Sequence, residues 1–363
     1  MIHYLVPRQQ AFGITEYLER GGRQLADRFS IIPYEDLPDR PSLPTGLFVF
    51  AGLDQLTPGG LRLSCELEAR LRGAGGAARV LNSPAATLLR CELAQELRRQ
   101  ELNRHGAIRA GEDPGGLRFP VFVREEHQHT GALSPPLHTA VELNVALARA
   151  VLRGFRLRDL LVVEYFDTRD QAGWYYRYTA FAVGSEIIPR RLARGRDWMV
   201  KRAGTEFNEA LLREERDFVA TNPHERELRH IFEIARTEYG RIDYAVKDGA
   251  IETWEINLNP TLGRDPALPP ELELVRRPAT DLFQERFRSA FQRMDSGWPS
   301  AGSIPVQYTR AALQARGAMV RRAHRGLLPV ALIQSMRPFR PLLERMLRAV
   351  SPLVLKHSRK TAR

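Results

Sequence analysis

The sequence predicts a mixed α/β and α+β protein, and two patterns predict it. In the first eighty residues the short apolar runs His3–Val6 and Phe48–Phe50 precede a helical stretch with a charged outer face, as expected for buried strands covered by a helix. Between about residues 160 and 258, apolar and aromatic runs are joined by glycine-bearing turns, which predicts antiparallel hairpins. At 363 residues the chain can hold two or three domains and bury a sizeable core.

Residues 1 to about 80 read as a small α/β unit. Leu61–Arg72 is a helix with acids and arginines outward, ended by Gly73-Ala74-Gly75-Gly76 before a strand at Arg79–Leu81. Because these glycines precede a strand instead of opening a helix, they are a C-cap and not a dinucleotide fingerprint. Asn82-Ser83-Pro84 then predicts a helix start, with Ser83 as cap and Pro84 in the first helical position. Leu89, Leu93 and Leu97 form its buried stripe. Phe119–Arg124 is a strand ending in a cation. In the loop from His127 to Ala132, Thr130 and Gly131 can offer a hydroxyl and free backbone N–H groups to an anion. His127 and His129 have no third ligand nearby in sequence and read as loop histidines.

Leu160–Phe166 is an apolar strand interrupted by one acid, Glu164. Trp174–Val183 and Glu186–Pro189 make a hairpin around Gly184-Ser185. That turn pairs Val183 with Glu186, which places Arg190 on the face of Arg177. Arg191 and Lys201 read as a solvated charge run.

The densest chemistry lies in Arg241-Ile242-Asp243-Tyr244 and Glu255-Ile256-Asn257-Leu258-Asn259-Pro260, separated by the turn signal Lys247-Asp248-Gly249. A two-residue loop would pair Asp243 with Trp254 and put the two acids on opposite faces. A three-residue loop pairs Val246 with Ala250 and gathers Arg241, Asp243, Thr253, Glu255 and Asn257 on one face, with the apolar residues on the other. Hydrophobic alternation selects the second register. Two carboxylates and an amide oxygen form an all-oxygen set that suits Mg²⁺.

An Arg-x-Asp strand, a turn and Glu-x-Asn-x-x-Pro resemble the metal-binding end of the ATP-grasp superfamily. Within it the likeness is to the carboxylate-amine ligases: glutathione synthetase, D-alanine–D-alanine ligase and the ribosomal-protein glutamate ligases. The resemblance runs from about residue 80 to about 290. It implies two α+β subdomains clasping nucleotide behind an α/β pre-grasp domain: 1–82 pre-grasp, 83–160 central lid, 161–290 C-terminal subdomain, and 291–363 a basic, helical tail. It also implies ATP with Mg²⁺, Mn²⁺ being the alternative metal, held by Asp243, Glu255 and Asn257. Arg241 would lie near the reacting carboxylate, and Arg177 and Arg190 near the phosphate or acyl intermediate, with Arg191 and Lys201 as lesser candidates there. Arg124 stands where the family has a phosphate-binding lysine. The chain has fifty arginines and four lysines, and arginine also binds phosphate. Thr130 and Gly131 would cover phosphate, Glu164 and Tyr165 meet adenine, and Asp167 meet ribose.

The implied reaction joins a small-molecule carboxylate, an amino acid or peptide, to an amine through an acyl phosphate, releasing ADP and phosphate. Two alternatives share the fold: a kinase acting on a hydroxyl, and a nucleotide-binding protein without turnover that its tail docks to a membrane or partner.

Composition narrows the partners. The net charge of +11 is carried by residues 301–363, with thirteen basic and one acidic side chain, while the rest is near neutral. That is not the pattern of a globally basic nucleic-acid-binding domain, and no nucleic-acid partner is expected. The tail is expected to pack on the body or make a dimer contact, with peripheral membrane binding as the rival. Two cysteines without metal spacing, the absence of a signal-peptide pattern and of a 20-residue apolar run fit a cytoplasmic protein.

Overall fold

The computed structural model describes residues 1–129, 131–201, 204–262, 267–296 and 302–321. They form two compact units, Met1–Leu89 with Thr168–Arg321, and Arg90–Asp167.

The first unit opens with a parallel sheet in the order β2-β1-β4-β5, where β1 is Ile2–Val6, β2 Phe29–Pro33, β4 Gly46–Phe50 and β5 Ala78–Leu81. Every residue of β1 and β4 is buried, as a parallel sheet covered on both faces requires. Alternation divides their side chains between two cores. Leu5, Phe48 and Phe50 meet the stripe Leu63, Leu67 and Leu71 of α2 (Pro58–Arg72). Helix α2 begins where the sequence allows it, with Pro58 in its first turn and the Thr57 hydroxyl accepting from Gly60 N–H at 3.1 Å. On the other face Tyr4, Val6, Leu47 and Val49 join α1 (Phe12–Glu19) and three phenylalanines, Phe283, Phe287 and Phe291, of α7 (Pro270–Met294).

The same unit carries an antiparallel sheet in the order β10-β9-β11-β12: β9 is Tyr175–Val183, β10 Glu186–Gly195, β11 Tyr239–Lys247 and β12 Ala250–Asn257. Phe181 and Val183 extend the α7 core. Tyr178 and Tyr244 pack with Phe218 and His224, contributed by α5 (Glu209–Thr221) and by the residue before α6 (Glu225–Ala235).

One expectation changes here, and packing of the tail on the body is seen over residues 302–321. The helix foreseen at Ser83-Pro84 starts only at Arg90. Ser83 donates to Glu68 at 2.8 Å instead of capping. Asn82, at φ +62°, is the reason: its buried amide bridges the two sheets by donating to Phe50 O (3.3 Å) and Tyr239 O (2.7 Å) and accepting from Glu238 N and Tyr239 N, both at 2.9 Å. Residues 302–321, the start of the expected tail, are part of the first core. β13 (Ser303–Pro305) pairs with β3 (Ser42–Pro44), α8 is Arg310–Leu313, and Ile304, Val306, Ala312 and Met319 are buried against α2. Most of the tail, 322–363, with its apolar patches and the membrane or dimer contact expected there, lies outside the described residues.

The second unit is an antiparallel sheet in the order β6-β8-β7, with β6 Ala107–Arg109, β7 Val121–Glu125 and β8 Leu160–Glu164, together with α3 (Arg90–Arg99) and α4 (Ala140–Leu152). Leu143, Leu147 and Ala150 of α4 pack on Val121, Val123, Leu160 and Val162. Cys91 of α3 packs on Leu161 and Val163. Among the described residues no helix is long and apolar enough to cross a membrane.

Candidate functional site

The site begins with two turns and two bulges in the antiparallel sheet. The β11–β12 turn has two residues, not three: Asp248 and Gly249 take φ values of +54° and +77°, and Lys247 pairs with Ala250. Consecutive positive φ angles are those of the primed turn whose twist matches a hairpin, which overrides the expected three-residue loop. On that register alone Asp243 would face Trp254. A bulge intervenes instead. Tyr244 pairs with Thr253, whereas Asp243 pairs with Glu255 and Arg241 with Asn257. The expected grouping of Arg241, Asp243, Glu255 and Asn257 therefore stands, through a bulge and not through loop length. Thr253, expected among them, lies opposite Tyr244.

A second bulge works on the other side. Val183 pairs with Glu186 as the turn requires, but the ladder shifts after Pro189, so Thr179 faces Arg191. Thr179 also pairs with Asp243 on β11. One row thus crosses all four strands: Arg191, Thr179, Asp243, Glu255. The first bulge brings Glu255 into the row of Asp243 in place of Trp254, and the second sets Arg191 there in place of Arg190, the re-aiming for which bulges are used. Arg190, 9% exposed, lays its guanidinium 4.4 Å from the centre of the Phe283 ring. Arg191 is not the solvated charge expected: its side chain is 13% exposed and lies 3.8 Å from Glu215.

Arg241 holds Asp243 with a two-pronged contact, Nε to Oδ1 at 2.9 Å and Nη2 to Oδ2 at 3.0 Å, and the Thr179 hydroxyl reaches Oδ1 at 3.5 Å. Burial pulls the Arg241 pKa down, but the charge and hydrogen bonds of Asp243 outweigh it and the net shift is upward. Arg177 moves the other way. Burial lowers its pKa, Asp243 opposes this, and the like charges of Arg241 and Arg191 reinforce it. Three guanidiniums thus share one face with two carboxylates.

The oxygens fit a hard cation. Asp243 and Glu255 are directly opposed on neighbouring strands, a position that sets Cβ atoms about 4.5–5.5 Å apart. A carboxylate has about four lone-pair positions, so the Arg241 contacts leave Asp243 further capacity. Asn257 Oδ1 accepts one bond, from Asn259 N at 2.9 Å, and keeps a second lone pair. Asn259 is itself pinned by the Tyr4 hydroxyl at 3.0 Å and by donation to Gln10 O at 3.1 Å. Among the described residues no group of three or more His, Cys, Asp or Glu is placed to hold a metal; the set here is two carboxylates and an amide.

The second unit holds the remaining expected residues. Arg124 lies within β7, opposite Leu161. Gly131 adopts φ +96°, and Thr130 lies outside the described residues. The Glu164 carboxylate is a clamp: it accepts from Gly106 N at 2.8 Å, Arg118 N at 2.7 Å and Arg118 Nε at 3.3 Å. Burial raises its pKa, but those donors outweigh burial and the net shift is downward. Tyr165 N donates to Pro120 O at 2.8 Å. Asp167 is the last residue of the unit. Arg90 donates to three carbonyls at the start of the 126–131 loop, those of Glu125, Glu126 and Gln128.

Sequence reasoning missed Thr179, Glu215 and Asn82, and ranked Arg191 below Arg190. Thr179 alone carried a signal, two residues beyond Arg177 on an alternating strand.

The chain is similar to the D-alanine–D-alanine ligase of Bacillus anthracis, at 15% identity and a TM-score of 0.43 over 80% of this chain and 99% of that one. The ATP-complexed structure of that enzyme matches at 16% identity and TM-score 0.43, with the same coverage. The D-alanine–D-alanine ligase of Coxiella burnetii matches at 12% identity and TM-score 0.45, over 81% and 95%. No protein-family model matches the chain, and no curated protein does.

Proposed function

We propose that this protein is an ATP-dependent ligase that joins a carboxylate to an amine through an acyl phosphate, with release of ADP and phosphate. The observation that carries the reading is the row centred on Asp243: Glu255 directly opposite, Asn257 beside it, and a guanidinium on each flank.

Asp243, Glu255 and Asn257 would hold Mg²⁺, or Mn²⁺ in its place. The bound metal would supply charge neutralisation across the phosphates of ATP. The chain's own contribution is positioning and fixed charge. Arg241, oriented by its contact to Asp243, holds the substrate carboxylate beside the metal ligands. Arg177, buried among like charges, favours an anion in reach, because a developing negative charge relieves the repulsion from Arg241 and Arg191. The carboxylate oxygen attacks the γ-phosphorus, the bond to the ADP oxygen breaks, and the amine then displaces phosphate from the acyl carbon. The amine attacks in its neutral form and passes its surplus proton to the departing phosphate or to water, so no side chain of the protein is assigned as general base.

In the second unit Arg124 and the Thr130-Gly131 loop are assigned to the phosphates on the resemblance alone. Tyr165 and Asp167 are assigned to the nucleoside in the same way. Glu164 is retained there as a structural support, since Gly106 and Arg118 engage both of its carboxylate oxygens.

The test is product analysis with Mg²⁺·ATP and a panel of amino acids and short peptides. Phosphate release that depends on both a carboxylate and an amine supports ligation. A phosphorylated hydroxyl acceptor makes the protein a kinase. No turnover with any acceptor, despite nucleotide binding, makes it a binding protein.

A further inference from the structure

We infer that Glu215 is a positioning residue for the reaction, holding Arg191 where its guanidinium contacts the terminal phosphate of the nucleotide. The inference rests on the nucleotide-binding reading above and adds to it Glu215, which neither motif nor resemblance supplied, together with Arg191, which the sequence offered only as a lesser candidate.

The geometry begins at the sheet edge. β10 is the outermost strand, so Leu192 N–H points away from β9 and needs an acceptor. Glu215, on α5 and 1% exposed, provides it at 3.0 Å. The same oxygen, Oε2, lies 3.8 Å from Arg191 Nε, and Oε1 lies 3.7 Å from Nε of Arg276, a wholly buried residue of α7. Arg276 is fixed in turn by the Phe207 ring, 4.5 Å from its guanidinium carbon. Burial pushes the Glu215 carboxyl up, against Arg191, the Leu192 N–H, Arg276 and Arg190.

This clamp grips the strand at the bulge. Without the shift after Pro189, Arg190 would oppose Thr179; with it, Arg191 enters the row of Thr179, Asp243 and Glu255. Two strand spacings separate Arg191 from Asp243, about 10 Å of backbone. An arginine side chain and a phosphate group together span that gap. A buried carboxylate that accepts the strand's backbone N–H and lies within ion-pair range of the side chain restrains the guanidinium, as a pre-organised anion contact requires.

Calorimetric titration of the full chain with Mg²⁺·ATP and Mg²⁺·ADP tests this. Arg191→Met removes one charge-assisted contact and is expected to weaken ATP about tenfold, with ADP affected much less. Glu215→Gln strands Arg276 in the core and can unfold the chain, so the decisive variant is Glu215→Gln with Arg276→Met, which removes both buried charges together. It is expected to reproduce the ATP-selective loss of Arg191→Met, and adding Arg191→Met to it is expected to cause no further loss. Wild-type ATP affinity in the Glu215/Arg276 variant, or losses that multiply with that of Arg191→Met, overturns the positioning role. Failure of the wild type to bind Mg²⁺·ATP at all removes the nucleotide reading and this inference with it. ATP binding that none of the variants disturbs removes this inference alone.

Discussion

Asn82→Ala is expected to be among the most costly single substitutions outside the candidate site. The amide makes four hydrogen bonds, at 3.3, 2.7, 2.9 and 2.9 Å, to backbone groups of Phe50, Glu238 and Tyr239. The side chain is fully buried, so no water replaces these bonds. At roughly 1 kcal/mol each, four bonds contribute about 4 kcal/mol. Alanine at φ +62° adds about 1 kcal/mol of left-handed strain that asparagine tolerates better. A loss of about 5 kcal/mol would consume much of the 5–15 kcal/mol typical of a domain. At about 2–4 °C per kcal/mol for a unit of this size, the melting temperature falls by about 10–20 °C. Urea unfolding followed by circular dichroism measures it, with Asn82→Gly as the control that relieves only the strain. A loss below about 2 kcal/mol would refute the bridge as the device that aligns β11 with the parallel sheet.

Three further outcomes follow from local chemistry. Gly249→Ala is expected to cost about 1 kcal/mol, because its φ is +77° but a Cβ meets nothing within 4 Å; Gly46→Ala costs more, since its φ of +145° is also positive and its Cβ would run into the backbone oxygen of Met1. Thermal melts of the two variants rank them, and equal losses contradict the packing. Burial lowers the pKa of both His3 and His224, so their neutral forms favour the folded state. Stability from this source is complete above an unfolded-state pKa of about 6.5 and declines as pH falls below it. Urea midpoints at pH 8 and pH 5 report it, and a His3→Gln variant should show a shallower decline. Glu164→Gln is expected to destabilise the second unit by about 2 kcal/mol at pH 7 through lost charge-assisted bonds to Gly106 and Arg118. Because the folded pKa of Glu164 is lowered, the difference from wild type disappears as pH falls through that value. Amide exchange of β6–β8 at pH 7 and pH 3.5 reads both.

The apolar skeleton was legible because burial is written in the residues themselves. β1, β4, β7, β8, β9 and α2 all lie where apolar runs and helical stripes put them. The candidate row was legible in membership but not in mechanism. Period-two alternation grouped Arg241, Asp243, Glu255 and Asn257 correctly, yet it cannot distinguish a longer loop from a short loop followed by a bulge. The same blindness at Pro189 put Arg191 behind Arg190, because an arginine next to another in sequence reads as solvated charge. Asn82 and Glu215 carried no local signal, because their partners are 32–157 and 23 or more residues away. Ser83-Pro84 shows the converse: a capping pattern that fits locally was overridden when Asn82 took a left-handed conformation to reach Tyr239.

The central claim is that Asp243, with Glu255 and Asn257, holds the metal on which nucleotide binding depends. Calorimetric titration of ATP and of a non-hydrolysable analogue, with and without Mg²⁺, on wild type and Asp243→Asn tests it most directly. The account predicts magnesium-dependent binding by the wild type that Asp243→Asn abolishes while its melting temperature stays within a few degrees. Binding of equal strength in the variant, or binding indifferent to Mg²⁺, would contradict it.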